Sequence, residues 1–200
     1  MTLIASQVTI RDAVRNDCAE LAQLINFAGE GLPLYLWQQM ARAGEDPWAI
    51  GRERAAHGSH GFSYRNSVVA EVDGQIAGAL VGYSLAAEPD AIDPANTPPM
   101  FFPLLELESL ATGSWYINAV ATFPAARGLG VGSNLMRWAE QRARELELRG
   151  VSLIVSDGNQ GARRLYRRRG YTETASRPMV KEQWQNDGEN WVLMMSDQRA

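Results

Sequence analysis

Arg127-Gly128-Leu129-Gly130-Val131-Gly132 joins an apolar, strand-like run (Trp115 to Thr122) to a strongly helical one (Ser133 to Leu148). Alternating glycines let the backbone turn sharply and keep Cβ atoms away from whatever approaches it. The first amides of the following helix have no intrahelical partner and stand at the positive end of the helix dipole. Strand, glycine turn and helix start together make a seat for phosphate.

Three phosphate-loop or turn chemistries compete for this segment. A plain strand-to-helix connection needs fewer glycines and no preceding arginine. A dinucleotide fingerprint needs a third glycine at 133, where Ser133 stands. Asp157, after the next strand-like run, does imitate the acid that binds a ribose. The residues beyond it are too few, however, for the rest of a doubly wound nucleotide domain. A P-loop is excluded because no Gly-Lys-Ser/Thr occurs.

Composition narrows the classes further. The chain has 200 residues, 46% hydrophobic and 21% charged, which suits one globular domain spanning 1–200. A net charge of −4 opposes general binding to nucleic acid, which wants a basic surface. Cys18 is the one cysteine, so no internal disulfide forms, in keeping with a reducing compartment. The opening Met1 to Gln7 lacks a charged segment and a long apolar one, and no window approaches the ~18 apolar residues of a membrane span. The expectation is a cytoplasmic protein with no membrane partner.

Patterning around the turn gives the element order β-α-α(-α)-β-β-β-α-β-α-β-β, a mixed-sheet α/β fold. Val8 to Arg11 reads as a strand, and Asp17 as the cap of a helix carrying Leu21, Leu24, Ile25 and Ala28. Gly29, Gly31 and Pro33 break it; Leu34 to Ala43 and Pro47 to Ala56 read as further helices. Ser67–Val72 and Gln75–Tyr83 flank Asp73-Gly74, a strong hairpin signal. Pro89, Pro94, Pro98, Pro99 and Pro103 mark 86–103 as an irregular loop, and Leu104 to Leu110 as a short helix or strand. In the helix after the glycine turn, Met136, Ala139, Ala143 and Leu146 share a face, Glu140 and Arg144 are spaced to pair, and Gly150 is a stop. Val151–Ser156 is a strand, Asn159 caps a helix to Arg169 closed by Gly170, and Tyr171–Ser176 and Trp191–Met195 complete the strands.

Two spaced motifs carry a resemblance. Pro124, Arg127, Gly128, Gly130 and Gly132 between strand and helix are similar to the acetyl-coenzyme A motif of the GNAT N-acetyltransferase superfamily. Asn159, Ala162, Leu165-Tyr166 and Gly170-Tyr171 resemble that family's second conserved segment, and Ile10-Arg11-Asp12-Ala13 with Asp17 its opening. The resemblance is specific over 115–176, the acetyl-coenzyme A-binding core, and fair over 67–83. It is weakest over 29–62, a helical acceptor-side segment, and over the irregular insertion at 86–110. It implies a GNAT-like fold: a central, mostly antiparallel sheet splayed between two strands and flanked by helices.

The resemblance also implies roles. Gly128, Leu129, Gly130, Val131, Gly132 and Ser133 would hold the pyrophosphate through main-chain N–H groups, and Arg127 would also belong to the cofactor site. Val120, Ala121 and Thr122 would pair with the pantetheine arm, one N–H polarising the thioester carbonyl. Asn159 would touch the cofactor as well as cap its helix. Tyr166 would protonate the leaving thiolate. Acetyl-CoA would be the co-substrate and a small amine or peptide amine the acceptor, reached by direct transfer.

Other residues stay open. No carboxylate lies on the strand before the turn; Tyr116 and Asn118 stand where relatives often carry one. Water relayed to Glu30, Glu106 or Glu108 is one source of a base; Glu106 and Glu108 also fit as ordinary surface acids. The aromatic and apolar residues Tyr35, Leu36, Trp37, Trp48, Phe101 and Phe102 fit an acceptor lining, a core or a homodimer face. Arg163, Arg164, Arg167, Arg168 and Arg169 read mainly as solvated, with one available to a cofactor phosphate. His57 and His60 lack further ligands at metal spacing, so no metal is expected. The rival reading is a coenzyme A-binding regulatory or interaction domain with weak catalysis.

Overall fold

Alternation and turn chemistry along the chain place seven strands and six α-helices among the described residues. The computed structural model describes residues 7–58, 61–89 and 91–197; Met1–Ser6 and the His60 candidate lie outside them. The strands are β1 (Val8–Asp12), β2 (Ser67–Val72), β3 (Gln75–Ser84), β4 (Trp115–Thr122), β5 (Gly150–Ser156), β6 (Thr172–Pro178) and β7 (Asn190–Asp197). The helices are α1 (Cys18–Ala28), α2 (Leu32–Met40), α3 (Pro47–Ala56), α4 (Phe102–Ser109), α5 (Val131–Glu145) and α6 (Gln160–Arg168). The strands form one mixed sheet in the order β1-β2-β3-β4-β5-β7-β6. β4 and β5 are parallel, paired at Trp115–Val151, Tyr116–Ser152 and Ile117–Leu153. The β1–β2, β2–β3, β5–β7 and β6–β7 pairs are antiparallel. Mixed sheet and flanking helices agree with the architecture that the sequence implied.

By contacts the chain divides into two units, 1–82 with 118–138, and 83–117 with 139–200. In the first, Leu21, Leu24 and Ile25 of α1 are buried with Trp37, Ile50, Val69 and Ala119 in one cluster. Trp37 and Trp48 meet edge to face, with ring centroids 5.6 Å apart. The Asp73-Gly74 hairpin forms as read: both residues have positive φ (52° and 74°), the primed turn that matches strand twist.

In the second unit, Leu107 of α4, Ala139 and Ala143 of α5, and Leu193 and Met194 of β7 are fully buried. Trp184 stacks on Trp191 with centroids 5.8 Å apart. An ion pair closes α5 onto the chain after α6. Arg169 donates to Glu140 at 3.0 and 2.6 Å, and the Tyr171 hydroxyl lies 3.4 Å from the same carboxylate.

Several boundaries depart from the sequence reading. α2 begins at Leu32 because Pro33 sits in its first turn, where a missing N–H costs nothing. The 104–110 segment is helical, again with a proline in the first turn and with Pro103 and Leu107 buried one turn apart. α5 ends at Glu145 rather than Leu148. Its stop is Glu147 in the left-handed region (φ 54°), with Leu148 N–H donating to Ala143 at 2.9 Å; Gly150 opens β5 instead. Leu146, expected on the buried face of α5, is 39% exposed. Asp17 precedes α1 but does not cap it: its carboxylate accepts from Val14 N–H at 2.8 Å and from Arg11 at 2.7 and 3.1 Å.

Candidate functional site

The glycine turn and the end of β4 belong to the first unit. After Thr122 the chain makes a single 3₁₀ turn over Pro124–Ala126 and then bends twice. Both bends are glycines in the left-handed region, Gly128 at φ 82° and Gly130 at φ 80°. Side chains there would be strained, so the sequence folds this way because it has none at those positions. The Gly130 carbonyl accepts the first helical bond of α5, from Asn134 N–H at 3.0 Å, and a second from the Asn134 amide at 3.0 Å. The helix therefore starts at Val131, two residues before the sequence expectation, with Gly132 inside its first turn.

This geometry decides which amides face outward. Leu129 N–H is engaged with Ala126 O at 3.4 Å, and Arg127 N–H with Pro124 O at 3.2 Å. Among the described residues, no turn or loop hydrogen bond engages the amides of Gly128 and Gly130, and Val131, Gly132 and Ser133 stand in the first turn of α5, where N–H groups have no intrahelical carbonyl to meet. Gly128, Leu129, Gly130 and Arg127 are exposed, whereas Val131 is buried and anchors the turn. A glycine turn leading into the first-turn amides of a 15-residue helix is chemically suited to an anion such as a diphosphate.

The sheet beneath the turn is shaped to receive it. On β3, Gly78 leaves room for the main chain of β4 and for Val131: a Cβ there would lie 2.7 Å from Ala121 O and 2.8 Å from Val131 Cγ1. Val120, Ala121 and Thr122 are half-buried rather than sealed in the core. Phe123, just before the turn, meets Phe27 of α1 edge to face at 6.1 Å.

The remaining candidates belong to the second unit. Asn159 caps α6, its side chain accepting from Ala162 N–H at 3.0 Å. Tyr166 is buried, with its ring 6.0 Å from that of Tyr171. Three of the neighbouring arginines are engaged rather than simply solvated. Arg163 and Arg167 both reach Glu173, and Arg169 reaches Glu140. Glu140 is thus tied to Arg169, a partner that i,i+4 spacing to Arg144 did not indicate.

Sequence reasoning also missed a buried polar contact in this unit. The Tyr116 hydroxyl of β4 donates to Glu108 of α4, and the Tyr116 ring meets Tyr83 with centroids 5.7 Å apart. Burial pushes the Glu108 carboxyl above its usual range, and the Tyr116 hydrogen bond offsets part of that rise. Burial, with Glu108 beside it, pushes the Tyr116 phenol well upward, so it remains a neutral donor. Glu106, the other candidate acid on α4, is paired with Arg177 at 2.6 Å. Among the described residues, no group of three or more His, Cys, Asp or Glu is gathered as a metal site, and no helix is long and apolar enough to cross a membrane.

Comparison with known proteins follows the same lines. The profile of the Acetyltransferase (GNAT) family matches residues 34–171, so the chain belongs to that family of acetyltransferases. Among curated proteins, none matches. Solved structures share the fold. An acetyltransferase is 20% identical with a TM-score of 0.63, the match covering 94% of this chain and 98% of that one. An N-acetyltransferase from Staphylococcus aureus Mu50 is 18% identical with a TM-score of 0.63, covering 94% and 100%. Ard1 from Thermoplasma volcanium is 19% identical with a TM-score of 0.58, covering 95% and 97%.

Proposed function

We propose that this protein transfers an acetyl group from acetyl-coenzyme A directly to a primary amine, on a small molecule or a peptide N-terminus. The observation that carries the reading is the glycine turn at the start of α5, with Gly128 and Gly130 in the left-handed region and the Val131, Gly132 and Ser133 amides in the helix's first turn. They suit a diphosphate without any side-chain charge, and the family membership supports acetyl-coenzyme A as its bearer. Arg127 adds an exposed cation beside the turn. The main chain of Val120, Ala121 and Thr122 supplies pairing groups for an extended thioester arm, and one of its N–H groups polarises the carbonyl. Asn159 contributes a cofactor contact from its cap position.

An alkyl ammonium of pKa ~10 must lose a proton before it attacks, and a thiolate whose acid has pKa ~8.5 gains from one as it leaves. Tyr166 fills the second role. Direct transfer is supported by chemistry: Cys18 is buried and lies in the α1 core cluster, and burial pushes its thiol up, away from a nucleophilic thiolate. A cytoplasmic setting suits this chemistry, since acetyl-coenzyme A is an intracellular metabolite.

One observation favours the second reading, a coenzyme A-binding domain with weak catalysis: β4 runs Trp115–Thr122 without a carboxylate. Thiol release measured across a panel of amines separates the two. Amine-dependent release is expected. Binding of acetyl-coenzyme A with no release above hydrolysis for any amine would support the second reading instead.

A further inference from the structure

The chain carries three Asp-Gly pairs: Asp73-Gly74, Asp157-Gly158 and Asp187-Gly188. This dipeptide has a chemistry of its own. With no side chain on the glycine, its main-chain nitrogen can close on the side-chain carboxyl of the aspartate before it. The reaction needs a glycine amide released from other bonds and room to swing, so identical pairs differ through their surroundings. We propose that Asp73 is a modification site: of the three aspartates it is the one that isomerises to isoaspartate in the folded protein, exposing a main-chain carboxylate that a carboxyl methyltransferase using S-adenosylmethionine takes as substrate.

Two of the pairs are tied down. Gly188 is buried, and its N–H donates to Asn186 Oδ1 at 2.7 Å. It is also wedged in place: a Cβ there would run into Ser156 Oγ and lie 2.8 Å from Asp157 Oδ1. Gly158 N–H donates to Ser156 Oγ at 3.2 Å. Asp157 accepts from Glu189 N–H at 2.8 Å and from the Asn190 amide at 2.9 Å. Burial pushes the Asp157 carboxyl up, but the bonds from Asn190 and Glu189 hold it below its usual value, in the ionised form that is the poorer electrophile. Asp73-Gly74 has another setting. It is the exposed two-residue tip of the β2–β3 hairpin, beyond the closing pair Val72–Gln75. Among the described residues, no turn or loop hydrogen bond engages Gly74 N–H, and nothing lies within 4 Å of a Cβ placed on Gly74.

The step balances. The Gly74 nitrogen bonds to Asp73 Cγ, and the carboxyl hydroxyl leaves with the amide proton as water, giving a five-membered cyclic imide. Water then adds at the main-chain carbonyl carbon of Asp73, and the bond from that carbon to the Gly74 nitrogen breaks. One water leaves and one enters, so the mass is unchanged. The chain now runs through Cγ, and the α-carboxylate is free. The turn has grown by one backbone carbon. Hairpin register is set by loop length, so the Val72–Gln75 closing pair no longer matches its turn.

The test keeps the full chain folded at neutral pH and physiological temperature for several weeks, with the same chain unfolded in urea as reference. Isoaspartate is counted with an isoaspartyl carboxyl methyltransferase and tritiated S-adenosylmethionine, and located by peptide fragmentation that breaks the Cα–Cβ bond placed in the main chain. In the folded protein we expect Asp73 to exceed Asp157 and Asp187 each by ~10-fold or more, with three similar rates in urea. Asn186→Ala takes away the acceptor of Gly188 N–H; it should raise isomerisation at Asp187 by ~5-fold or more and leave Asp73 unchanged. Equal rates at the three sites of the folded protein, a faster rate at Asp157 or Asp187, or an Asp73 preference that persists in urea overturns the proposal. Asn186→Ala with an unchanged rate at Asp187 also overturns it, as does a folded chain that forms no isoaspartate at Asp73 while the unfolded chain does.

Discussion

Gly78 of β3 stands against the main chain of Ala121 on β4: a Cβ added at Gly78 would lie 2.7 Å from the Ala121 oxygen. The same Cβ would be 2.8 Å from Val131, the first residue of α5. The floor of the anion seat and the start of its helix therefore depend on one absent side chain. Overpacking a tight site costs typically 1–3 kcal/mol. For a chain of this size that is about 2–12 °C in Tm. We expect Gly78→Ala to lower Tm within that range and to weaken acetyl-coenzyme A binding with it. Scanning calorimetry with and without the ligand checks both; an unchanged Tm would mean that the sheet yields easily.

Gly128 offers a cleaner test of conformation, because nothing lies within 4 Å of a Cβ there. Only its φ of 82° resists a side chain. A left-handed L-residue costs roughly 1–2 kcal/mol, least for Asn and most for β-branched residues. Gly128→Asn should bind acetyl-coenzyme A more tightly than Gly128→Val does. Titration calorimetry ranks the two, and equal affinities would show that the turn tolerates another backbone path.

Tyr166→Phe keeps the buried ring and removes the hydroxyl. If Tyr166 protonates the thiolate, kcat falls by roughly 10²-fold or more while acetyl-coenzyme A affinity is unchanged. Single-turnover kinetics separates the chemical step from product release. Full kcat in the variant would remove the role.

How much of this could be read from the chain depends on how local each feature is. Asp73-Gly74, the glycine turn and the Asn159 cap are set by residues within one turn of each other, and all three form as their chemistry dictates. Short apolar runs are harder. Leu104 to Leu110 fits either period, and only packing of Pro103 and Leu107 makes it a helix. Prolines at 33 and 103 start helices here, whereas a sequence alone presents them equally as breakers. Long-range polar partners are invisible. Nothing near Glu140 announces Arg169, and nothing near Glu108 announces Tyr116, since the fold and not the spacing brings each pair together.

The Glu140–Arg169 pair carries its own expectation. Both side chains are mostly covered, at 16% and 19% exposure. Removing one partner leaves a partly desolvated charge, worth roughly 1–3 kcal/mol for a hydrogen-bonded charged group. Arg169→Ala should lower the urea midpoint accordingly, and Arg169→Ala combined with Glu140→Leu should recover part of the loss. Additive losses would show that the two residues act independently.

Acid sensitivity follows from Asp17. Hydrogen bonding to Arg11 holds its carboxyl below the usual value, with Val14 N–H assisting. A carboxyl depressed by folding contributes stability above its unfolded pKa of ~3.9, and that contribution fades as pH falls through the folded value. Asp17→Asn should therefore be less stable than the parent at pH 7, and the gap should narrow on going down to pH 3. Urea melts across that range check the sign, and a gap that widens in acid would contradict it.

The most direct measurement is a ¹H–¹⁵N titration of the whole protein with coenzyme A. We predict saturable shifts of the Gly128, Gly130, Val131, Gly132 and Ser133 amides, larger than those of Leu129, whose N–H is already bound to Ala126. Unmoved amides from 128 to 133, in folded protein at millimolar coenzyme A, would contradict a diphosphate held by that turn.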